Sequence, residues 1–229
     1  MFNIEEHKAN LISITKEIYS DVNIGPILGF KGGTAMYLFH DLSRFSVDLD
    51  FDLLDAQKDQ VVFQRIEKIL LPLGKIKDKY IKGRTVFFLF SYTHGDRLIK
   101  IEISKRPTIS SYEVKNYLGV PMLIMREEDL SANKLIALVE RSKYASRDLY
   151  DVWFILKNNW PINETIIQKR TGKNLKEHLA HALEFVKKYP EDKMLFGLGE
   201  LIDDKTKRWV REHLREDLIF QLQLKGGLK

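Results

Sequence analysis

The stretch KGGTAMYLFHDLSRFSVDLDF, residues Lys31–Phe51, decides the fold of this chain. It places Gly32, Gly33 and Thr34 about one helix length before an Asp-x-Asp sequence. Two glycines permit a tight turn whose backbone N–H groups can approach an anion, because no Cβ stands in the way. The hydroxyl of Thr34 can cap the helix that follows, and the N-terminus of a helix attracts phosphate. The first half of the stretch therefore predicts a phosphate-binding turn.

The second half of the stretch alternates acidic and apolar residues. This alternation predicts a strand in which Val47, Leu49 and Phe51 face a core. Asp48 and Asp50 are two residues apart, so both side chains leave the other face. Carboxylates that converge on one point repel each other unless a cation, typically Mg²⁺, lies between them. The pattern predicts a metal site, although a glycine turn, a helix and a strand with a solvated acidic face would have the same residues.

The two strings KGGTAMYLF and RFSVDLDF resemble the nucleotidyltransferase toxins of the AbiEii/AbiGii abortive-infection type. These toxins are a branch of the polymerase-β-like nucleotidyltransferases, and the resemblance extends over approximately residues 25–155. It implies an α+β fold, in which a core of a mixed sheet with flanking helices is followed by an α-helical C-terminal region. It also implies that Asp48 and Asp50 bind metal, while Gly32, Gly33 and Thr34 bind the nucleotide.

The same resemblance implies an activity and its partners. The expected reaction is the transfer of NMP from an NTP to an acceptor hydroxyl, with Mg²⁺ or Mn²⁺ as the metal. The expected role is that of a toxin in a toxin–antitoxin or phage-defence system, so a cognate antitoxin is an expected partner. The expected acceptor is the 3′ end of tRNA, where added nucleotides would block aminoacylation and halt translation.

The remainder of the chain divides into a mixed half and a helical half. Hydrophobic periodicity predicts helices over residues 3–20, 34–41 and 57–71, and strands over residues 26–30, 48–53, 75–81, 84–92, 97–104 and 120–125. Residues 107–116 are predicted to form a loop. From Glu127 onward we predict helices over residues 127–143, 147–158, 163–188 in pieces, 191–201 and 204–224. We therefore expect a nucleotidyltransferase α/β core over residues 1–126, and a helical domain over residues 127–229 that completes the active site.

A third carboxylate is expected where a metal-bound pair is joined by a base that activates a hydroxyl. In RLIKIEIS, residues 97–104, isoleucines alternate with polar residues, so Glu102 points away from the apolar face. A later strand carries the third acid in the superfamily that the chain resembles, and Glu102 matches it by position as a metal ligand. A solvated glutamate beside Lys100 is the alternative, and Asp52 is a rival for the role because it shares a face with the aspartate pair.

A second pattern joins SANKLIALVER, residues 131–141, to RDLYD, residues 147–151. On a helix Lys134 and Arg141 share a face, because seven residues are close to two turns. The pattern resembles the K-x-x-A-x-x-x-R and R-D-x-x-D motifs of the same toxin family. The resemblance implies that Lys134 contacts the nucleotide phosphates and that Asp148 is required for activity. Lys134 would neutralise charge on the leaving pyrophosphate, and Asp148 could orient that lysine or position the acceptor. The alternative is a salt-bridge cluster that also includes Asp151.

Arg44 and Ser46 immediately precede the aspartate pair. Arg44 could reach a phosphate, and Ser46 could bind one or hold the turn, so both are candidate nucleotide-binding residues. An ordinary role in the loop is equally consistent with the sequence.

Composition narrows the classes of protein that remain. The 229 residues are 44% hydrophobic and 30% charged, which is typical of a globular protein. No apolar run is long enough to span a membrane, and the polar N-terminus does not read as an export signal, so we expect a cytoplasmic protein. The absence of cysteine excludes disulfides, thiolate nucleophiles and cysteine metal sites. A net charge of +5 favours a polyanionic partner such as RNA.

Two alternatives to the tRNA-modifying toxin stay open at this point. The first is a nucleotidyltransferase that acts on a protein side chain or on a small molecule such as an aminoglycoside. The second is a module that binds nucleotide or RNA without catalysis and whose acids only hold structure.

Overall fold

The computed structural model describes residues 3–92, 98–141 and 144–228, and the chain forms two compact units. The sheet unit comprises Met1–Asp41 and Phe45–Met125. The helical unit comprises Leu42–Arg44 and Arg126–Lys229. Arg97, which the sequence places at the start of a strand, lies outside the described residues.

The sheet unit contains three helices and seven strands among its described residues. The helices are α1 (Ile4–Ser20), α2 (Gly32–Phe39) and α3 (Asp59–Leu70). The strands are β1 (Leu28–Lys31), β2 (Leu49–Leu53), β3 (Lys75–Lys82), β4 (Thr85–Ser91), β5 (Leu98–Ser104), β6 (Tyr112–Tyr117) and β7 (Val120–Met125).

The strands of this unit form one mixed sheet in the order β3-β4-β5-β2-β1-β7-β6. Strand β2 lies near the centre, antiparallel to β1 and parallel to β5. Because side chains alternate across a strand, the buried Leu49 and Phe51 of β2 face the core together with Ile99, Ile101 and Ile103 of β5. The polar residues between them therefore share the opposite face.

Packing of helices against the sheet follows from their apolar spacing. In α1 the residues Leu11, Ile14 and Ile18 are buried at intervals of three and four, which place them on one face of the helix. The side chain of Asn3 accepts a hydrogen bond from the Glu6 N–H and so caps the start of α1. The predicted helix over residues 3–20 is thereby confirmed.

The predicted loop over residues 107–116 is wrong in its second half, which forms β6. This strand pairs antiparallel with β7 across a tight turn at Leu118 and Gly119, both of which have positive φ. The sequence gives little strand signal there because β6 is an edge strand on which no residue is fully buried. Its position is fixed instead by Tyr112, whose ring covers Gly29 so closely that a Cβ on Gly29 would lie 2.1 Å from it.

The helical unit is built from helices and short turns. Its helices are α4 (Glu127–Glu140), α5 (Ser146–Lys157), α6 (Glu164–Thr171), α7 (Leu175–Lys187), α8 (Asp204–Trp209) and α9 (Arg215–Gly226), with a π-helical turn at Val210–Leu214 between the last two. Asn174 and Glu177 form a reciprocal capping box at the start of α7. The predicted helix over residues 191–201 is wrong: this segment forms two 3₁₀ turns, Glu191–Lys193 and Gly199–Leu201, because Gly197 takes a positive φ between them.

The α+β fold class predicted from the sequence is confirmed, with a mixed sheet and flanking helices followed by a helical region. None of the helices in the described part of the chain combines the length and the apolar character that a membrane span requires.

Candidate active site

Strands β2 and β5 bring the predicted acids of the sheet unit onto one face. Asp50 lies directly beside Glu102 in the parallel register of the two strands. Asp48 immediately precedes β2 rather than lying within it, and Lys100 is on the same face of β5 as Glu102. Three carboxylates and one ammonium group therefore occupy neighbouring positions on a polar face, with the isoleucine core behind them.

Gly32 determines how closely Asp50 can approach the start of α2. Gly32 has a φ of +80°, and a Cβ built on it would lie 2.6 Å from Oδ2 of Asp50. A side chain at this position would collide with the carboxylate and would also strain the backbone. The glycine pair is thus the first turn of α2 itself, and it lets the Asp50 carboxylate lie against the N-terminal backbone of that helix.

The prediction that Thr34 caps α2 is wrong. Lys31 occupies the N-cap position, and no side chain makes the capping hydrogen bond. The buried Thr34 hydroxyl instead makes hydrogen bonds to the backbone carbonyl of Asp48 and to the Ser46 hydroxyl, the latter at 2.9 Å. Because Ser46 is also buried, the pair holds the backbone that leads into Asp48.

A buried histidine that the sequence did not single out fixes the same segment from the other side. His7 of α1 is fully buried, and its Nε2 lies 3.0 Å from the carbonyl oxygen of Val47. Its Nδ1 lies 2.9 Å from the hydroxyl of Tyr92. This contact depends on the packing of α1 beside the sheet, so no local motif could have indicated it.

Lys100 on the polar face is a second residue to which the sequence analysis assigned no function. Its Nζ lies 3.4 Å from Oε2 of Glu102 and 3.8 Å from Oδ2 of Asp48. Partial burial would lower the pKa of Lys100, but the carboxylates of Asp48, Asp50 and Glu102 outweigh burial and raise it above its ordinary value. The ammonium group is therefore charged and balances part of the negative charge of this face.

A metal ion fits the aspartate pair more readily than all three acids. Among the described residues, no group of three or more His, Cys, Asp or Glu side chains is arranged to hold a metal ion. The chemistry of Mg²⁺ does not require such a group, because one or two carboxylates commonly hold it together with phosphate oxygens of the substrate. Asp48 and Asp50 can provide these two carboxylates, while Glu102 contacts Lys100.

Asp52, the rival for the third acid, has a structural role. Its Oδ1 lies 2.6 Å from Nζ of Lys31, and its Oδ2 accepts a hydrogen bond of 2.6 Å from the Tyr112 hydroxyl. Burial, followed by the charge of Asp52, raises the pKa of Tyr112 well above its ordinary value, so the hydroxyl keeps its proton as a donor. Both carboxylate oxygens of Asp52 are thereby engaged with its neighbours in the sheet.

The helical unit contains a second cluster of predicted residues around Asp151, whose side chain is 0% exposed. The guanidinium of Arg44 donates two hydrogen bonds to this carboxylate, from Nε to Oδ1 at 2.6 Å and from Nη2 to Oδ2 at 2.7 Å. Nζ of Lys134 lies 2.6 Å from the same Oδ2. The side chain of Arg44 is only 2% exposed, so the structure places it in a buried ion pair rather than at a surface open to phosphate.

Asp148 pairs with Arg141, as the salt-bridge alternative from the sequence allowed. Its Oδ2 lies 2.7 Å from Nε of Arg141, whereas the direct contact with Lys134 belongs to Asp151. Burial raises the pKa of Asp148 above its ordinary value despite the nearby cations. Burial acts in the same direction on Asp151, but the charges of Arg44 and Lys134 prevail and lower its pKa to about 2. The salt-bridge cluster considered as an alternative therefore exists, and it distinguishes the two aspartates.

Comparison with known proteins places this geometry in a family. Residues 17–221 match the family model described as the nucleotidyl transferase AbiEii toxin of type IV toxin–antitoxin systems. The chain belongs to the AbiEii family. This AbiEii protein is therefore a nucleotidyltransferase toxin, with a nucleotide as substrate and an antitoxin as partner.

Solved structures share the fold of this AbiEii protein. JHP933 from Helicobacter pylori is 23% identical with a TM-score of 0.62, and the match covers 98% of this chain and 92% of that one. MenT4, a nucleotidyltransferase toxin from Mycobacterium tuberculosis H37Rv, is 17% identical with a TM-score of 0.57, over 96% of this chain and 92% of that one. No curated protein matches the chain.

Proposed function

We propose that this AbiEii nucleotidyltransferase transfers NMP from an NTP to the 3′ end of tRNA in a reaction that depends on Mg²⁺, or on Mn²⁺ in its place. The observation that carries the proposal is the contact of Asp50 with Gly32. It places a carboxylate suited to a metal directly against the first turn of α2. A metal-bound triphosphate needs both an oxygen ligand for the cation and backbone donors for its phosphates.

The residues of the sheet unit take the following roles in this proposal. Asp48 and Asp50 would hold the metal ion, which would supply positive charge against the triphosphate. The N–H groups of Gly32 and Gly33 bind phosphate oxygens. Thr34 contributes indirectly, because with Ser46 it fixes the backbone at Asp48.

The chemical step forms one bond and breaks another. The oxygen of the acceptor hydroxyl attacks the α-phosphorus, its proton passes to Glu102 or to water, and the bond to pyrophosphate breaks. Lys134 of the helical unit is proposed to neutralise the charge that develops on the leaving pyrophosphate. Asp151 holds the Lys134 ammonium, and Asp148 is proposed to position the acceptor.

The net positive charge supports RNA as the acceptor. The formal charge is +5 although the acids include the proposed metal ligands, so the remainder of the protein is more basic still. A toxin that blocks the tRNA 3′ end would stop translation, which suits a role in phage defence and places the reaction in the cytoplasm. The alternatives are a protein or aminoglycoside acceptor and a module that binds without catalysis.

Label transfer from each of the four α-labelled NTPs onto total tRNA, in the presence of Mg²⁺, tests the proposal. Asp48→Asn and Asp50→Asn should abolish transfer, while Asp78→Asn on the exposed part of β3 is the matched control and should keep it. Labelled protein or aminoglycoside without labelled tRNA would replace the proposed acceptor. No transfer to any acceptor, with nucleotide binding retained, would favour the non-catalytic module.

A further inference from the structure

Lys100 lies at the centre of the polar face, yet the proposed function assigns it no role. Its side chain is 33% exposed, so the ammonium group is held against the sheet rather than extended into solvent. Its Nζ lies within 4 Å of two carboxylates on different segments, Glu102 on β5 and Asp48 before β2. The Lys100 ammonium group therefore lies between carboxylates of two separate segments.

Charge balance indicates what Lys100 does there. Asp48, Asp50 and Glu102 together carry three negative charges, of which one ammonium group offsets one. A single divalent cation then neutralises the remainder, whereas two divalent cations would leave the face positively charged before any nucleotide arrives. In two-metal sites the ions lie about 3.5–4 Å apart and stabilise the attacking and leaving oxygens, so the protein must supply ligands for both. Here Glu102, the acid on this face besides Asp48 and Asp50 that could ligate a second ion, contacts Lys100 instead.

We propose that the Lys100 ammonium takes the place of a second metal ion, so that the polar face binds one divalent cation per chain. This proposal rests on the proposed metal role of Asp48 and Asp50. Lys100 acts as a positioning residue: it fixes the carboxylate of Glu102 and shares that of Asp48, and it supplies a positive charge that does not depend on the concentration of free metal.

The chain offers a closely matched control for Lys100. Lys115 is also a strand lysine, its side chain is 32% exposed, and its Nζ lies 3.1 Å from the Glu113 carboxylate two residues away. The two lysines differ in that Lys100 also faces Asp48. Removing either ammonium group should therefore have a similar effect on stability, and only Lys100 should affect metal binding.

Binding of Mn²⁺ measured by electron paramagnetic resonance tests the proposal directly. The titration uses the full chain with a non-hydrolysable α,β-methylene analogue of the NTP that the transfer assay selects. We expect one bound Mn²⁺ in the native protein, in Lys100→Arg and in Lys115→Met, and two in Lys100→Met. The Mg²⁺ dependence of transfer should change in parallel, from first order to second order in Lys100→Met.

Two bound Mn²⁺ ions in the native protein, or a single ion in a folded Lys100→Met protein, would overturn the proposal. Thermal melting confirms that each variant is folded, and Lys100→Arg retains the charge in case the methionine variant does not fold. Failure of the proposed function gives a different result. In that case Mn²⁺ would not bind to the native protein, or binding would persist unchanged in Asp48→Asn and Asp50→Asn.

Discussion

Replacing Asp151 by asparagine should destabilise the helical unit far more than the same change at Asp148. Asp151 is fully buried, and the guanidinium that grips it belongs to a side chain that is 2% exposed. The asparagine amide has one acceptor oxygen, whereas the two N–H donors of the Arg44 guanidinium need two acceptors. The NH₂ group of the asparagine would face the donors of Arg44 and Lys134. The buried guanidinium of Arg44 would then lose the carboxylate to which it donates two hydrogen bonds in the native protein.

The size of the effect follows from the loss of this buried ion pair. Breaking a buried ion pair by removing one partner costs about 3–5 kcal/mol. The free energy of unfolding of a protein is only about 5–15 kcal/mol, so Asp151→Asn should remove a large part of the stability. Asp148 differs because its partner Arg141 is 41% exposed and can return to water. Asp148→Asn should therefore change stability by no more than about 1 kcal/mol.

The dependence on pH should also have opposite signs for the two aspartates. The pKa of Asp151 is about 2 in the folded chain against an ordinary value of 3.8. Its stabilisation is fully present above about pH 4 and is lost as the pH falls towards 2, by roughly 2.5 kcal/mol in total. The pKa of Asp148 is raised, so the folded chain takes up this proton more readily than the unfolded chain. The contribution of Asp148 to the free energy of unfolding therefore becomes more favourable as the pH falls towards 4.

Urea unfolding followed by tryptophan fluorescence from pH 7 to pH 3 measures both effects. The three tryptophans of the chain, Trp153, Trp160 and Trp209, all lie in the helical unit, so the signal reports that unit. Asp151→Asn should lower the stability at pH 7 and flatten its decline at acid pH. The reasoning would be refuted if Asp151→Asn cost less than about 1 kcal/mol, or if Asp148→Asn cost as much as Asp151→Asn.

Three further substitutions test the sheet unit. Gly32→Ala should abolish Mn²⁺ binding, because the new side chain would displace Asp50. Gly83→Ala is also at positive φ but has open space around it, so it should lower the free energy of unfolding by only about 1 kcal/mol in a urea titration. Equal effects of the two substitutions would contradict the role of the close contact. Asp52→Asn should lower the melting temperature yet leave Mn²⁺ binding intact, and loss of the metal in a folded variant would restore Asp52 as a ligand. Thr34→Val keeps the shape of the side chain but removes the hydroxyl. It should lower the free energy of unfolding by about 1–3 kcal/mol and weaken the activation of nucleotide transfer by Mg²⁺. Unchanged activation would show that the hydrogen bond to the Asp48 carbonyl does not position the Asp48 carboxylate.

Local patterns were sufficient to predict the strands of the sheet that alternate strictly. Ile99, Ile101 and Ile103 fix both the strand and the face on which Glu102 lies, because a shift by one residue would bury the glutamate. Strand β6 escaped prediction because it is an edge strand without a fully buried apolar face. Its register depends on the ring of Tyr112 above Gly29, a contact between residues distant in sequence.

In the candidate site, the residue types could be predicted but not all of their partners. A hydroxyl after a glycine pair is compatible with a helix cap, and only the fold shows that Thr34 turns to the carbonyl of Asp48. Lys100 was visible in the sequence as a neighbour of Glu102. Its second contact, with Asp48, arises from the parallel pairing of β2 and β5, which no local pattern specifies.

The two aspartates of RDLYD show how electrostatics can separate a structural acid from a functional one. They are one helical turn apart on α5 and are both buried. Asp151 is stabilised as an ion by two cations, as expected of a residue that holds the fold. Asp148 is buried without full compensation, since its pKa is raised even beside Arg141. A carboxylate that is kept where ionisation is unfavourable costs stability, and such groups concentrate at functional sites. Together with the contacts of Lys134 to Asp151 and of Arg141 to Asp148, this asymmetry supports the proposal that Asp148 serves the reaction and that Asp151 holds Lys134.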